Sequence, residues 1–509
     1  MSNRDRSCIR LHPDDSVVVA LRPLASGQIV LEHNTVLRDN IPAGHKASIQ
    51  RIPAGSAIIK YGQVIGFASI DIEPGSHVHI HNVILHDFSR DYAYGRDSRP
   101  TQFVAESERR TFEGFPRPDG SVGIRNYVGI LATVTCSLGT AHLIARRFVP
   151  DIMARYPNVD AVVALGANSG CCMTPGGEAV TYLQRSIDGY ARHPNFAGVL
   201  ILGLGCEQNL VESLIEATGL APGNRVRTMV IQNEGGTKTT VEKGVAEIFE
   251  ILEQADRAKR RTFAVSHLKL GLECGGSDSY SGITANPALG AAADLLVRHG
   301  GTSVLSETPE IYGAEHLLTR RAISREVGEK LAARIRWWEE YTARNGSKLD
   351  NNPTPGNKAG GITTILEKSV GAATKGGNTN LMEVVGFAEP VRGPGLVFMD
   401  TPGFDPVSVT GLIAGGVHVI AFTTGRGTVL GSIPAPTLKL ASNSSLYRRM
   451  PDDMDIDCGQ VLDAGLSIEE MGARIFDDIL ETASGKKTKS ELALQGQWEF
   501  HPWYVGVVV

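Results

Sequence analysis

The sequence predicts an α/β protein, with a small, mostly β domain at the N-terminus followed by a doubly wound, Rossmann-like α/β region in two lobes. Two patterns point there. Short β-type runs broken by Pro-Gly turns fill residues 10–83, and from about Tyr127 apolar runs alternate with stretches of helical period. Length adds a third: 509 residues are too many for one hydrophobic core, so the chain divides into two to four domains.

The β runs SVVVAL, AIIKYG and HVHIHNV are separated by the turns IPAGHK, IPAGSA and IEPGSH, which assigns residues 1–95 to one β-rich domain. Residues 85–107 are rich in Asp, Arg, Tyr and Ser with little apolar periodicity, and the linker is placed at 96–110. In 111–375, strand-like VGILATVTC and VDAVVALG alternate with helix-like AHLIARRFVPDIMARY and AVTYLQRSIDGYARH, and FAGVLILGLGC, LKLGLEC and TSVLSE continue the series. Such alternation implies a parallel sheet covered by helices. Residues 376–509 repeat the idea with GPGLVFMDTPG, GLIAGGVHVIAFTTGRG and PTLKLASN before the helical IEEMGARIFDDILETASG, and are expected as a further α/β domain or a lobe of the preceding one.

Composition narrows the functions. A formal charge of -5 supplies no basic field for a phosphate backbone, so no nucleic-acid partner is expected. No stretch of about 18 uninterrupted apolar residues occurs, and MSNRDRSCIRLHPDD lacks an export signal's apolar run, so a cytoplasmic protein without a membrane partner is expected. Seven cysteines, an odd number, point to thiols or metal ligands rather than a disulfide framework.

Four of those cysteines stand at predicted strand ends: Cys136, Cys171, Cys206 and Cys274. Ligands of open α/β sheets bind outside the carboxyl ends of the strands, so thiols placed there are expected to converge on one crevice as soft metal ligands. The competing reading is cysteine's commoner state, buried and inert. The turn GLECGGSDSYSGITANPALG puts Ser277, Asp278, Thr284 and Asn286 between a strand and a helix, where backbone N–H groups suit a carboxylate, or where Asp278 merely caps. Neither GxGxxG nor P-loop spacing is present, so no nucleotide cofactor is expected.

Glu307, in SETPE, follows a strand as a base or ligand; Asn357 and Lys358, in NPTPGNKAGG, lie in a loop suited to holding substrate. Thr424 and Arg426, in TTGRGT, end another strand, and the arginine fork matches a carboxylate. In the N-terminal domain His77, His79 and His81 alternate along one strand face, and with His12 and His45 they form a set able to bind metal or move protons, or a solvated face.

Together DGSVGIRN, GLGCE, ECGGSDSYSGITANP, SETPE, NPTPGNKAGG and TTGRGT, with IPAGHKASI, IIKYGQVIGFA and VHIHN before them, resemble the altronate/galactarate dehydratase family over nearly the whole chain. The resemblance implies that the β-rich domain is the module called SAF, that the rest is catalytic, and that a sugar acid is dehydrated to a 2-keto-3-deoxy acid. It also implies a divalent metal, Fe(2+) with Mn(2+) as the alternative and an iron–sulfur cluster left open, and a homodimer or larger homo-oligomer. The residues expected to act are Asp278, Glu307, Lys358, Arg426 and His45, with Ser277, Thr284, Asn286, Asn357 and Thr424 binding substrate; Cys136, Cys171, Cys206, Cys274, His12, His45 and His79 are the expected metal ligands. The sequence departs from the family pattern in ANSGCCMTPGGE, where Cys172 is an added neighbour and Ser169 replaces an aromatic residue, and in the tail EFHPWYVGVVV. A sulfolactate-type elimination of sulfite and a non-catalytic sugar-acid binder are the rival readings.

Overall fold

The computed structural model describes residues 7–30, 34–86 and 90–505. At the N-terminus an antiparallel sheet runs in the order Cys8–Ile9, Val17–Ala20, Lys46–Ser48, His77–Val78, beside a three-stranded sheet of Ala57–Lys60, Gln63–Ala68 and Val83–Ile84. The Pro-Gly turns set these reversals: Gly44, Gly55 and Gly75 all have positive φ, and a Cβ on Gly75 would come within 2.0 Å of the Val36 carbonyl. Val17 and Val18 point to opposite faces and seed two small cores, one with Ile52, Ile58 and Ile65, the other with Leu24, Leu37 and Ile41.

A short antiparallel sheet of Thr111–Pro116, Val122–Gly123 and Arg261–Ala264 leads into two parallel sheets. The first has four strands, in the order Val162–Gly166, Tyr127–Ala132, Phe196–Gly203, Val226–Val230. Helix Thr237–Ala255 buries Ile248, Ile251, Leu252 and Ala255 at helical spacing, together with Ala141 and Ile144 of Thr135–Ala145, against Val128, Ile130, Leu200 and Leu202. Each such isoleucine, leucine or valine side chain is worth about 1.5–3 kcal/mol of burial. Leu183 and Ile187 of Glu178–Arg192, with Leu214 of Val211–Thr218, pack with Leu131, Leu165 and Ile201 in a different core.

The second sheet has seven parallel strands, in the order Leu381–Val385, Gly395–Met399, Thr302–Leu305, Lys269–Cys274, Val419–Thr424, Thr437–Ala441, Ile456–Asp457. It spans residue 375, with two strands before that position and five after it. Hydrophobic runs mark strands but carry no signal of which strand pairs with which. Strand order reverses between Lys269–Cys274 and its neighbour Val419–Thr424, so a crevice opens beyond their carboxyl ends.

The N-terminal module sits on that crevice. Tyr280 Oη donates to the Ala20 carbonyl at 3.1 Å, Lys60 Nζ to Ser279 Oγ at 3.0 Å, and Lys46 Nζ to the Gly361 carbonyl at 2.6 Å. The backbones meet closely: a Cβ on Gly361 would stand 2.3 Å from the Gly44 carbonyl oxygen. No helix among the described residues is long and apolar enough to cross a membrane.

Candidate active site at the module junction

Pairing of Lys46–Ser48 with His77–Val78 sets Ala47 opposite His77 and brings His45 alongside the histidine run. His45 Nδ1 lies 3.0 Å from His77 Nε2, the His45 and His79 rings are 4.6 Å apart, and His77 stacks on His79. These three offer ligand atoms within 4.8 Å of one another. Burial, with His45 and His81 beside it, pulls His77 down to about 4; burial, with Lys46 nearby, pulls His79 down to about 3. Both rings are therefore neutral near pH 7 and keep a nitrogen lone pair for a metal. His79 Nδ1 is buried with no hydrogen-bond partner, and His45 Nε2 lies 3.4 Å from the Ala359 carbonyl, which anchors the group to the loop carrying Lys358.

The histidine stripe is shorter than its spacing suggests. The strand ends at Val78, and residues 79–82 turn, with the Asn82 amide donating to the His79 carbonyl at 3.0 Å. His81 remains exposed. His12 is exposed as well, packed over Gly62 and accepting from the Asp14 amide at 3.2 Å, apart from the three-histidine group.

Asp278 lies at the centre of the crest. Its carboxylate accepts from the Ser281 amide at 2.8 Å, Ser281 Oγ at 2.9 Å, Ser442 Oγ at 2.8 Å and Asn443 Nδ2 at 3.1 Å, while burial raises its pKa. Two expected anion-binding turns close over it: a Cβ on Gly360, two residues after Lys358, would be 2.9 Å from Asp278 Cβ, and one on Gly425, just before Arg426, 2.1 Å from Asp278 Cγ. Arg426 is exposed, and Lys358 lines a cleft of about 740 Å³ with His86, Tyr312 and Glu339. Another cavity, of about 490 Å³, lies between the module and the crest, lined by Arg22, Tyr280, Ser442, Asn443, Arg448 and Asp463. Its two arginines and hydroxyl groups suit a polyhydroxy carboxylate. Sequence reasoning missed Arg22, in a bend, and Arg448, on the short helix Ser444–Arg449, because a surface arginine carries no local signal in either setting.

Other expected binders hold the fold. Thr284 Oγ1 donates to the Ser442 carbonyl at 2.6 Å, and Asn286 bridges Thr423 Oγ1 at 2.6 Å and the Gly371 carbonyl at 3.0 Å. Asn357 closes a capping box with Thr354 and donates to the Ser277 carbonyl at 2.8 Å, and Thr424 Oγ1 accepts from the Gly427 amide at 3.0 Å. Ser277 Oγ is buried without a partner.

Beneath the crest is a buried charged set that the sequence disclosed only in part. Glu307, in a left-handed conformation at φ 67°, accepts from Lys375 Nζ at 3.0 Å and from the Cys274 amide at 3.2 Å. Glu310 pairs with Lys368, accepts from Asn352 Nδ2 at 2.8 Å and lies 3.4 Å from Cys274 Sγ, so Cys274, Glu307 and Glu310 form a second group with metal-ligand geometry. Burial, with Glu307 and Glu310 near, pushes Asp405 up to about 7. A third set ties module to body: Glu367 accepts from Lys46 at 2.9 Å and Lys60 at 2.8 Å. Despite its burial, those two lysines hold Glu367 well below the usual carboxylate range, while burial, helped by Lys60, draws Lys46 down to about 8. Glu367 and Lys368 sit on the helix Ile365–Ala373, which is buried along its whole length, a setting where charged residues are found only when paired.

The four expected cysteine ligands separate. Cys274 is buried on the seven-stranded sheet, whereas Cys136, Cys171 and Cys206 are exposed at the carboxyl edge of the four-stranded sheet.

A parallel α/β body whose strand ends meet a β module through neutral histidines, buried ion pairs and an arginine-lined cavity has the form of a metal-capable enzyme site for a small anion. Three family descriptions match the chain in succession: the altronate/galactarate dehydratase SAF domain over residues 6–86, the D-galactarate dehydratase/altronate hydrolase second domain over 114–256, and the D-galactarate/altronate dehydratase C-terminal region over 265–508. An altronate dehydratase of Bacillus subtilis is 37% identical over 96% of this chain and 97% of its own, and a galactarate dehydratase (L-threo-forming) of Escherichia coli is 36% identical over 97% and 95%. The (2R)-sulfolactate sulfo-lyase subunit beta of Chromohalobacter salexigens is 32% identical over 76% of this chain and 96% of its own. The chain belongs to the altronate/galactarate dehydratase family.

Proposed function

We propose that this protein is a hydro-lyase that removes water from a sugar acid, altronate, galactarate or a related aldonate or aldarate, to give a 2-keto-3-deoxy acid. The observation that carries the reading is the group of His45, His77 and His79, joined to the body where His45 meets the Ala359 carbonyl, in a chain matched end to end by altronate and galactarate dehydratases. Loss of water across C2 and C3 needs a base for a barely acidic proton and help for hydroxide as it leaves. The three neutral histidines, one with an orphaned ring nitrogen, fit a divalent ion, and Fe(2+) is our assignment with Mn(2+) as the alternative. When bound, such an ion supplies Lewis-acid polarisation of the carboxylate and hydroxyl oxygens.

The chain's own residues do the remainder. Arg426 and Lys358, on the turns on either side of Asp278, are the carboxylate clamp, while Arg22 and Arg448 line a separate cavity beside Ser442 and Asn443. Asp278 receives the C2 proton: burial raises its pKa, and Ser281, Ser442 and Asn443 hold its oxygens in place. Glu307, tied to Lys375 and Cys274, supports the crest from below. The enol then tautomerises to the keto acid.

The helices on the two faces of the four-stranded sheet support a doubly wound, Rossmann-like reading, with residues 376–509 as a lobe that completes the seven-stranded sheet. We assign 1–95 to the module and 96–110 to the linker. The reaction is placed in the cytoplasm, in keeping with the lack of disulfides among the described cysteines, and the active form is a homodimer or larger homo-oligomer, in keeping with the family. The test is an anaerobic screen with ferrous iron against aldonates, aldarates and sulfolactate, with keto acid and sulfite measured separately. Keto acid from a sugar acid without sulfite is expected. Release of sulfite supports the second reading, which the match to the sulfo-lyase beta subunit favours.

A further inference from the structure

Cysteine is among the residues most often buried, yet four of the seven here are exposed together at the carboxyl edge of one sheet. Cys136 is in the first turn of Thr135–Ala145, directly after strand Tyr127–Ala132; Cys171 follows strand Val162–Gly166, and Cys206 follows Phe196–Gly203. These three strands are neighbours, with Tyr127–Ala132 in the middle, so the three loops leave the sheet side by side.

The loops are also bonded to one another. The Thr135 amide donates to the Ser169 carbonyl at 3.0 Å, the Asn209 amide to the Gly170 carbonyl at 3.0 Å, and Asn209 Nδ2 to the Thr133 carbonyl at 3.1 Å. A Cβ on Gly170 would stand 2.4 Å from the Thr133 carbonyl oxygen, so the second loop lies flat on the first. Glu207 secures the third: it accepts from Thr133 Oγ1 at 2.8 Å, the Leu204 amide at 3.0 Å and the Gly205 amide at 2.6 Å. Cys171 and Cys206 each follow a glycine with positive φ, Gly170 at 102° and Gly205 at 122°, backbone that other residues resist. Each loop is thus fixed one to three residues from its cysteine, while the sulfur itself is left uncovered.

We propose that Cys136, Cys171 and Cys206 hold a [4Fe–4S] cluster on this edge, a site separate from the histidine group. Their sulfurs are not among the groups whose ligand atoms all come within 4.8 Å of one another, which is the spacing that one ion requires. A polynuclear cluster spreads its cysteines over different irons, so thiolates on three adjacent loops reach it without first meeting each other. The three thiols lose their protons on binding and three irons would take a cysteine each, so this set supplies no thiolate to the fourth iron. Cys172, whose Sγ is 3.8 Å from Cys171 Sγ, is a bystander on the same loop.

The inference does not depend on the dehydratase reading and is tested apart from it. The full-length protein is reconstituted anaerobically with sulfide and equal parts of ferrous and ferric iron, the composition of the oxidised cluster, so that no further oxidant is needed. Iron and acid-labile sulfide are then counted, and the reduced protein is examined by EPR. About four irons and four sulfides per chain are expected, falling to background in Cys136→Ser, Cys171→Ser and Cys206→Ser but retained in Cys172→Ser and in His77→Ala. Melting temperature and circular dichroism show whether each variant is folded, and a serine variant that fails to fold is replaced by the corresponding alanine variant. Folded wild-type protein without labile sulfide, or unchanged sulfide in the three variants, overturns the cluster and leaves the sugar-acid chemistry standing. A protein with the cluster that turns over no sugar acid overturns the reaction and leaves the cluster.

Discussion

The two parallel sheets end in crests of opposite character. The seven-stranded crest is covered by the N-terminal module, and its acids and amines are buried and paired: Glu367 with Lys46 and Lys60, Glu307 with Lys375, Glu310 with Lys368. The four-stranded crest is uncovered and displays Cys136, Cys171, Cys172 and Cys206, with Glu207 folded back on its own loop. The same strand-end geometry therefore gives two chemistries according to what lies on top. A cover removes water and strengthens every electrostatic contact beneath it, at the cost that each charge must find a partner. An open edge leaves soft side chains within reach of solutes and needs only its backbone secured.

The most severe way to break this contrast is Glu367→Gln. It strands two buried lysines, and a loss of about 3–5 kcal/mol is expected, read as a lower urea midpoint and as protease sensitivity of residues 7–86. Acid tests the same bond. Glu367 has its pKa depressed in the fold, so its contribution is fully present above the unfolded value near 4.5 and drains away as pH falls towards the folded value. Urea midpoints of the parent should therefore fall between pH 5 and pH 3 more steeply than those of Glu367→Gln; equal slopes would show that the charge is not shared as drawn.

Next in size is Asp278→Asn, for which kcat is expected to drop by about 10²–10⁴ with little change in KM. A rise in KM alone would make Asp278 a binding residue. His77→Ala should weaken metal binding by at least about 10–100-fold, measured by titration of metal-free protein, without a matching change in melting temperature. Glu207→Gln gives the open-crest counterpart of the first test and should cost only about 1–2 kcal/mol, since it weakens hydrogen bonds without orphaning a buried cation. A cost equal to that of Glu367→Gln would erase the difference between the crests. Asp405→Asn runs in the opposite direction: the acid's pKa is raised, so its charged form is disfavoured by the fold, and the variant should gain stability relative to the parent as pH rises from about 4 to 8.

The elements were legible where a local pattern encodes them. Continuous apolar runs such as VGILA and VIAFTT became strands buried along their whole length, and the repeated Pro-Gly turns became the reversals of the module. Asp278 and His45 stand out in the sequence because Gly-rich strand ends and turns advertise exposed backbone, and the fold brings both to the junction of module and body. What stayed hidden is long-range. Lys46 and Glu367 are 321 positions apart, and nothing near either names the other. Glu310, Lys368 and Lys375 read as ordinary helix and loop residues until the sheet order is known. The split of Cys274 from the other three cysteines has the same origin, since equal strand-end placement says nothing about which sheet a strand joins. His81 failed for a local reason: alternation is informative only while the chain stays extended, and it turns after Val78.

The pairing of Lys60 with Glu367 also has a consequence for biosynthesis. The lysine leaves the ribosome 307 residues ahead of the carboxylate that neutralises it. Because domains generally fold in the order in which they emerge, the module can fold early only with Lys46 and Lys60 still hydrated. Its final closure waits until the body has been translated as far as the helix Ile365–Ala373. The three histidines gather within the module through its own strand pairing, whereas the contact of His45 with the Ala359 carbonyl forms only with that closure, so a truncated or misfolded body leaves the group uncapped.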